Sequence, residues 1–202
     1  MTRRDIEIDA EGVTLRGWFY PAEAGGGPGA AVVLAHGFSA VKEMYLDAFA
    51  EVFAAGGLNV VVFDNRCFGA SDGEPPAMVP VVDKDPLAPS ALPTPDSWEW
   101  FTQTGETRAP AWRNEVTLRS VEMFTEYEPG TYLPYISPTP LLMLVAHGDH
   151  LVPAELAIAA FDTAHQPKEL VILPGGHFDA YTKGFEASSG QARDWFSRHL
   201  AP

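Results

Sequence analysis

Cysteine is almost absent: Cys67 is the single one among 202 residues. That excludes an internal disulfide framework and a cysteine-rich zinc site. Basic residues are scarce as well. Thirteen Lys and Arg face 27 Asp and Glu, a formal charge of −14, with a pI near 4.7. Such a surface repels phosphate backbones and anionic headgroups, so neither a nucleic-acid nor a membrane partner is expected. No apolar run approaches the roughly 20 residues that cross a bilayer as a helix. The opening Met1-Thr2-Arg3-Arg4-Asp5-Ile6-Glu7 has two arginines but no apolar segment behind them, unlike a secretory leader. A soluble, cytoplasmic protein is expected. Internal repeats are lacking too, and the glycine run at 25–27 is the only low-complexity tract.

What is present is an ordinary globular composition, 46% apolar and 20% charged, in a chain long enough to bury a core without staples. Residues 4–9 and 13–20 read as two strands around Glu11-Gly12. A loop spans 24–29. Ala30 to Ala35 is a short continuous apolar run, the pattern of a strand covered on both faces. After His36-Gly37-Phe38-Ser39, the residues Val41, Tyr45, Phe49, Val52 and Phe53 recur at helical spacing until Gly56-Gly57. Asn59 to Phe63 is a second buried strand. Strand, helix and strand over 30–63 imply a parallel pair with a right-handed crossover.

The middle of the chain breaks this rhythm. Seven prolines fall between 65 and 97, and no amphipathic helix or central strand fits among them. Trp98, Trp100, Phe101 and Trp112 follow, either as a lid over a pocket or as packing that holds the segment down. A helix is predicted over 113–127. Regular order returns with a strand at 141–145, a helix at 154–164, a strand at 170–173 and a last helix at 188–200.

In an open parallel sheet, ligands bind beyond the carboxyl ends of the strands. Those places hold His36-Gly37, Asp64-Asn65-Arg66, His147-Gly148-Asp149-His150 and His177-Phe178-Asp179. Asp149 and His177 are separated by one helix and one strand, so two neighbouring loops can bring them together. A carboxylate beside an imidazole fixes its tautomer and stabilises its charged form, as a general base requires. An ordinary ion pair between loops is the plainer alternative. His147, Asp149 and His150 also carry possible metal donors, but the Asp-x-x-Val-Pro pattern accounts for Asp149 without one, and no metal or other cofactor is expected. Asp179 is expected to serve as a turn or cap residue.

Four segments, taken in order, resemble α/β-hydrolase signatures. They are His36-Gly37-Phe38, Phe63-Asp64-Asn65-Arg66-Cys67-Phe68-Gly69-Ala70-Ser71-Asp72-Gly73, Gly148-Asp149-His150-Leu151-Val152-Pro153 and Gly175-Gly176-His177-Phe178. The bacterial esterase and dienelactone-hydrolase-like branch is the most similar in flavour. The resemblance covers nearly the whole chain. It implies an α/β fold, here shortened: a mostly parallel sheet flanked by helices, with an antiparallel N-terminal hairpin. It also implies a single domain over 1–202, with 65–112 as a Pro-rich lid or linker. By the same resemblance Asp149 is the triad acid, His177 the base, and the Phe38 backbone N–H an oxyanion-hole donor.

One family feature has no counterpart. The nucleophilic serine of the family lies in a G-x-S-x-G elbow between a strand and a helix. The only such string here, Gly69 to Gly73, falls at a turn whose serine is structural in the family, and Glu74-Pro75-Pro76 follows it. The chain passes from Asp72-Gly73-Glu74-Pro75 to lid-like or late-chain sequence at Pro76-Ala77-Met78, as if a block with the elbow were missing. Ser71, Ser39 and Cys67 are the substitute nucleophiles to weigh. Ser39 is expected instead to cap the helix near Val41. The first parallel strand is then expected to pair directly with the strand at 141–145. Uncovered apolar surface would favour a homodimer or an exchanged segment. The expected function is that of an ester, thioester or acyl hydrolase lineage that keeps its acid–base pair and has weak or altered activity. A non-hydrolytic acid–base enzyme, such as a cyclase or lyase, and a non-catalytic binding protein are the alternatives. The aromatic residues point to a small apolar or aromatic ligand.

Overall fold

The computed structural model describes residues 3–23, 29–73 and 77–200. The loop expected over 24–29 and the junction at 74–76 lie largely or wholly outside them. The chain divides into two compact units, Met1–Val121 and Glu122–Pro202.

In the first unit, β1 (Arg4–Ala10) and β2 (Val13–Tyr20) form the expected antiparallel hairpin, with Ala10 opposite Val13 across Glu11-Gly12. β3 (Ala31–Ala35) and β4 (Asn59–Phe63) pair in parallel, linked through α1 (Leu46–Ala55). β2 also pairs antiparallel with β4, giving the order β1-β2-β4-β3. Helix α1 packs on this sheet, and Tyr20, Ala50, Phe53, Val60 and Val62 fill the space between. Alternation explains the choice: Val60 and Val62 point inward from β4 while their neighbours are half-buried.

Three sequence expectations change here. β3 was expected to be covered on both faces, yet Val33 is 64% exposed. β3 ends its sheet, hydrogen bonded only to β4, and the face carrying Val33 has no cover among the described residues. The expected pairing of β3 with the 141–145 strand is not formed. That strand, in the second unit, pairs only with its own parallel neighbour. The first helix starts at Leu46 rather than near Val41, because Tyr45 adopts a left-handed backbone (φ 71°) that helical geometry excludes.

The Pro-rich middle is more ordered than its prolines suggested. β5 (Met78–Val79) pairs antiparallel with β6 (Val116–Thr117). Between them runs α2 (Pro95–Thr107), with proline in its first turn, where the missing N–H costs nothing. Phe101 is 2% exposed, and its ring lies 5.5 Å from that of Trp112. The Trp112 indole N–H donates to the Ser39 carbonyl at 3.1 Å. These two aromatics pack the segment onto its unit. The helix predicted over 113–127 shortens to α3 (Leu118–Glu126), because β6 takes the residues before it.

The second unit holds β7 (Leu141–Ala146), α4 (Ala154–Thr163), β8 (Lys168–Leu173) and α5 (Phe185–Leu200). β7 and β8 pair in parallel, Leu141 opposite Lys168 and Ala146 opposite Leu173. Their carboxyl ends are therefore level. That register sets out the loops that follow.

Candidate active site

The loop after β7 carries Asp149, and a short 3-10 helix, His177–Tyr181, follows β8. Backbone hydrogen bonds zip the two loops together: His147 N–H to Leu173 O and Gly148 N–H to Gly175 O, both 2.8 Å. Gly175 has φ 95°, and a β-carbon there would collide with the Asp179 carboxylate. Only glycine takes that conformation without strain. A side chain at Gly148 would also press on the Gly175 carbonyl, 3.0 Å from where its β-carbon would stand. The glycines at 148 and 175 therefore allow the close approach that joins the acid to the base.

The Asp149 Oδ2 accepts from His177 Nδ1 at 2.8 Å. Its Oδ1 accepts the backbone N–H groups of Leu151 and Val152 at 2.9 and 2.8 Å. One carboxylate thus fixes its own loop with one oxygen and the imidazole with the other. The shared proton sits on Nδ1, which leaves the Nε2 lone pair as the basic site. Asp149 is 10% exposed and His177 31%, so the acid is screened while the base meets solvent. Among the described residues no protein group is hydrogen bonded to Nε2. Asp179 caps the turn, accepting the Gly176 N–H at 2.9 Å, and that bond draws its carboxyl below the usual aspartate range. Among the described residues no three His, Cys, Asp or Glu side chains are grouped to hold a metal.

The other singled-out residues lie in the first unit. Ser71 is fully engaged: its hydroxyl donates to the Asp64 carbonyl and accepts the Arg16 N–H, both at 2.8 Å. Its oxygen ties the β4 turn to β2, which is a structural task. Ser39 does not cap a helix as expected. It lies in a left-handed turn (φ 62°), 2% exposed, and its hydroxyl has no hydrogen-bond partner among the described residues. Cys67 also has positive φ (68°) and, with Ser71 and Trp112, lines a depression of about 260 Å³. Phe38 and Ser39 lie on a wider cleft with His36. The His36 ring is fully engaged, Nδ1 to the Gly37 carbonyl at 2.9 Å and Nε2 accepting the Asn65 N–H at 3.0 Å. Burial pushes its pKa below the usual imidazole value, so it stays neutral.

Sequence reasoning missed a buried ion pair. Lys42 and Asp64 are 3% and 0% exposed, and the Lys42 ammonium bonds Asp64 Oδ2. Asp64 also accepts the N–H groups of Lys42 at 2.7 Å and Ala70 at 3.0 Å. Gly69, at φ 54°, passes so close that any β-carbon would overlap this carboxylate. Nothing in the spacing of Lys42 and Asp64 marks them as partners. In sequence Lys42 stands beside Glu43, which it also meets at 3.0 Å, so the local pattern points to that neighbour rather than to Asp64.

One unit holds a parallel pair of strands whose following loops carry an Asp–His couple, and the other a sheet whose strand ends carry His-Gly and Asp-Asn-Arg; both are features of an α/β-hydrolase fold. Comparison with solved structures agrees. The α/β hydrolase GrgF from Penicillium superimposes with a TM-score of 0.85 over all of both chains, at 21% identity. In sequence, the polyketide transferase grgF is 22% identical over 294 positions, spanning all of this chain and 98% of the relative. Those 294 positions exceed the 202 residues present here, so the relative has residues with no counterpart in this chain. A thiohydrolase from Eupenicillium brefeldianum is 23% identical over 88% of each chain. The polyketide transferase af380 from Aspergillus fumigatus is 46% identical over 76 residues, 37% of this chain and 25% of that protein. That match spans only a quarter of the relative. No family model matches the chain. These likenesses show the α/β-hydrolase fold.

Proposed function

We propose that this chain hydrolyses activated acyl esters and thioesters slowly, with His177 as general base and Asp149 as its orienting acid, and without a serine of its own. The observation that carries this reading is the 2.8 Å bond between His177 Nδ1 and Asp149 Oδ2, with Asp149 Oδ1 locked by two backbone N–H groups. The names of the thiohydrolase and polyketide transferase relatives support thioester chemistry as the reaction class. Ser71 is consumed by structural bonds, so the attacking species is water. Water attacks the acyl carbon and gives its proton to Nε2 of His177. The tetrahedral species then expels thiolate or alkoxide, which receives that proton from Nε2 and leaves the imidazole neutral again. A positioned base of this kind contributes about 10²–10⁴-fold.

The test is thiol release from an aryl thioester by the purified chain. His177→Ala is expected to reduce it to the uncatalysed rate, and Ser71→Ala, Ser39→Ala and Cys67→Ala to leave it unchanged. A fluorophosphonate probe is expected to leave the chain unlabelled. Labelling at Ser39 or Ser71, or full activity in His177→Ala, would overturn the reading.

A further inference from the structure

The cleft of the first unit that holds the His36-Gly37-Phe38 loop has a volume of about 490 Å³, within the range of small-molecule sites. Leu15, Phe38 and Phe68 supply apolar walls, and His36, Asn65 and Arg66 supply polar ones. Its electrostatics differ from those of the rest of the molecule. The chain carries 27 carboxylates against 13 basic side chains, yet among the described residues no carboxylate lines this cleft. His36 contributes no charge, because burial holds it neutral and both ring nitrogens are engaged. Among the described residues of the lining, Arg66 is the one that carries a charge.

Arg66 is also unusual in its partners. With acids in twofold excess, a guanidinium ordinarily finds one. Arg66 makes no ion pair among the described residues; one terminal nitrogen donates to the Ala10 carbonyl at 2.9 Å. That bond fixes the head group at the end of β1 and leaves further N–H donors for a ligand. Beside it, the Phe68 ring meets the His36 ring edge to face at 5.5 Å, giving a firm apolar wall.

We propose that this cleft is a binding site for a small organic carboxylate with an apolar or aromatic body. The carboxylate pairs with Arg66, and the body lies against Phe68, Phe38 and Leu15. A planar carboxylate matches the guanidinium fork, and a single cation balances a single negative charge. A phosphate group would call for more positive charge than the lining offers. The site does not depend on Asp149 or His177.

Isothermal titration of the full chain with 2-naphthoate and with its neutral analogue 2-naphthamide tests this directly. Wild type is expected to prefer the carboxylate by about tenfold or more, since charge-assisted bonds are roughly twice as strong as neutral ones. Arg66→Gln is expected to abolish that preference, Arg66→Lys to retain part of it, and Arg113→Gln, at an exposed arginine of the other depression, to leave it intact. The wild-type comparison decides the matter even if Arg66→Gln folds poorly. Equal affinity for the two ligands, or undiminished naphthoate binding by Arg66→Gln, would overturn the proposal.

Discussion

Asp149 and Ser71 are both polar residues at strand ends, and both make more than one hydrogen bond, yet their consequences differ. Asp149 spends one oxygen on its own loop and offers the other to an imidazole whose second nitrogen is open. Ser71 spends both its donor and its acceptor on the backbone. Replacing Ser71 with alanine leaves the Arg16 N–H without a partner, at a cost of about 1–3 kcal/mol. Urea denaturation is expected to show that loss, while thioester hydrolysis per folded molecule stays the same. His36 makes a different prediction. Its folded pKa lies below the ordinary imidazole value because burial disfavours its charge. The unfolded chain therefore binds the proton more readily, and stability is complete above pH about 6.5 and falls as pH drops below it, until the folded value is passed. Melting curves between pH 7.5 and 5, taken as about these limits, are expected to slope less steeply for His36→Gln than for wild type.

Between elements, Asp64 couples more of the chain than any residue of the candidate site. It closes β4, neutralises Lys42 ahead of α1, and holds the turn at Ala70. Asp64→Asn leaves the Lys42 ammonium, 3% exposed, with only the Glu43 carboxylate at 3.0 Å to balance it. Breaking a buried pair from one side costs up to about 3–5 kcal/mol, of which Glu43 offsets a part, and the midpoint of chemical unfolding is expected to fall. Restoration by the double variant Asp64→Asn, Lys42→Met checks that the unpaired charge is the cause. The elements themselves were largely legible. Periodicity placed the hairpin, β4, α4 and β8 because their apolar residues repeat at intervals that follow from backbone geometry alone. α2 was missed because prolines dominate its surroundings, although Pro95 sits where a helix tolerates it best. The start of α1 was misplaced because nothing in the composition announces the left-handed Tyr45.

For the whole molecule, charge is the dominant quantity. A formal −14 on 202 residues means that self-repulsion opposes the compact state and that salt relieves it. Tm is expected to rise between about 10 mM and 150 mM salt as the Debye length shortens. Calorimetry at fixed pH checks this, and a Tm that falls with salt would contradict it. No helix among the described residues is long and apolar enough to cross a membrane.

The amino-acid sequence by itself determined the α/β class, the antiparallel hairpin, the parallel strands and the pairing of Asp149 with His177. Each of these follows from local periodicity or from loops that leave neighbouring strands at the same edge. Tertiary structure alone decided that Ser71 is bonded on both sides, that Lys42 and Asp64 meet in the interior, that β3 ends its sheet, and that Arg66 faces a cleft with no carboxylate among the described residues that line it. Those outcomes depend on which distant groups share one small volume. Spacing along the chain carries no record of that when the partners lie 22, 55 or 56 residues apart.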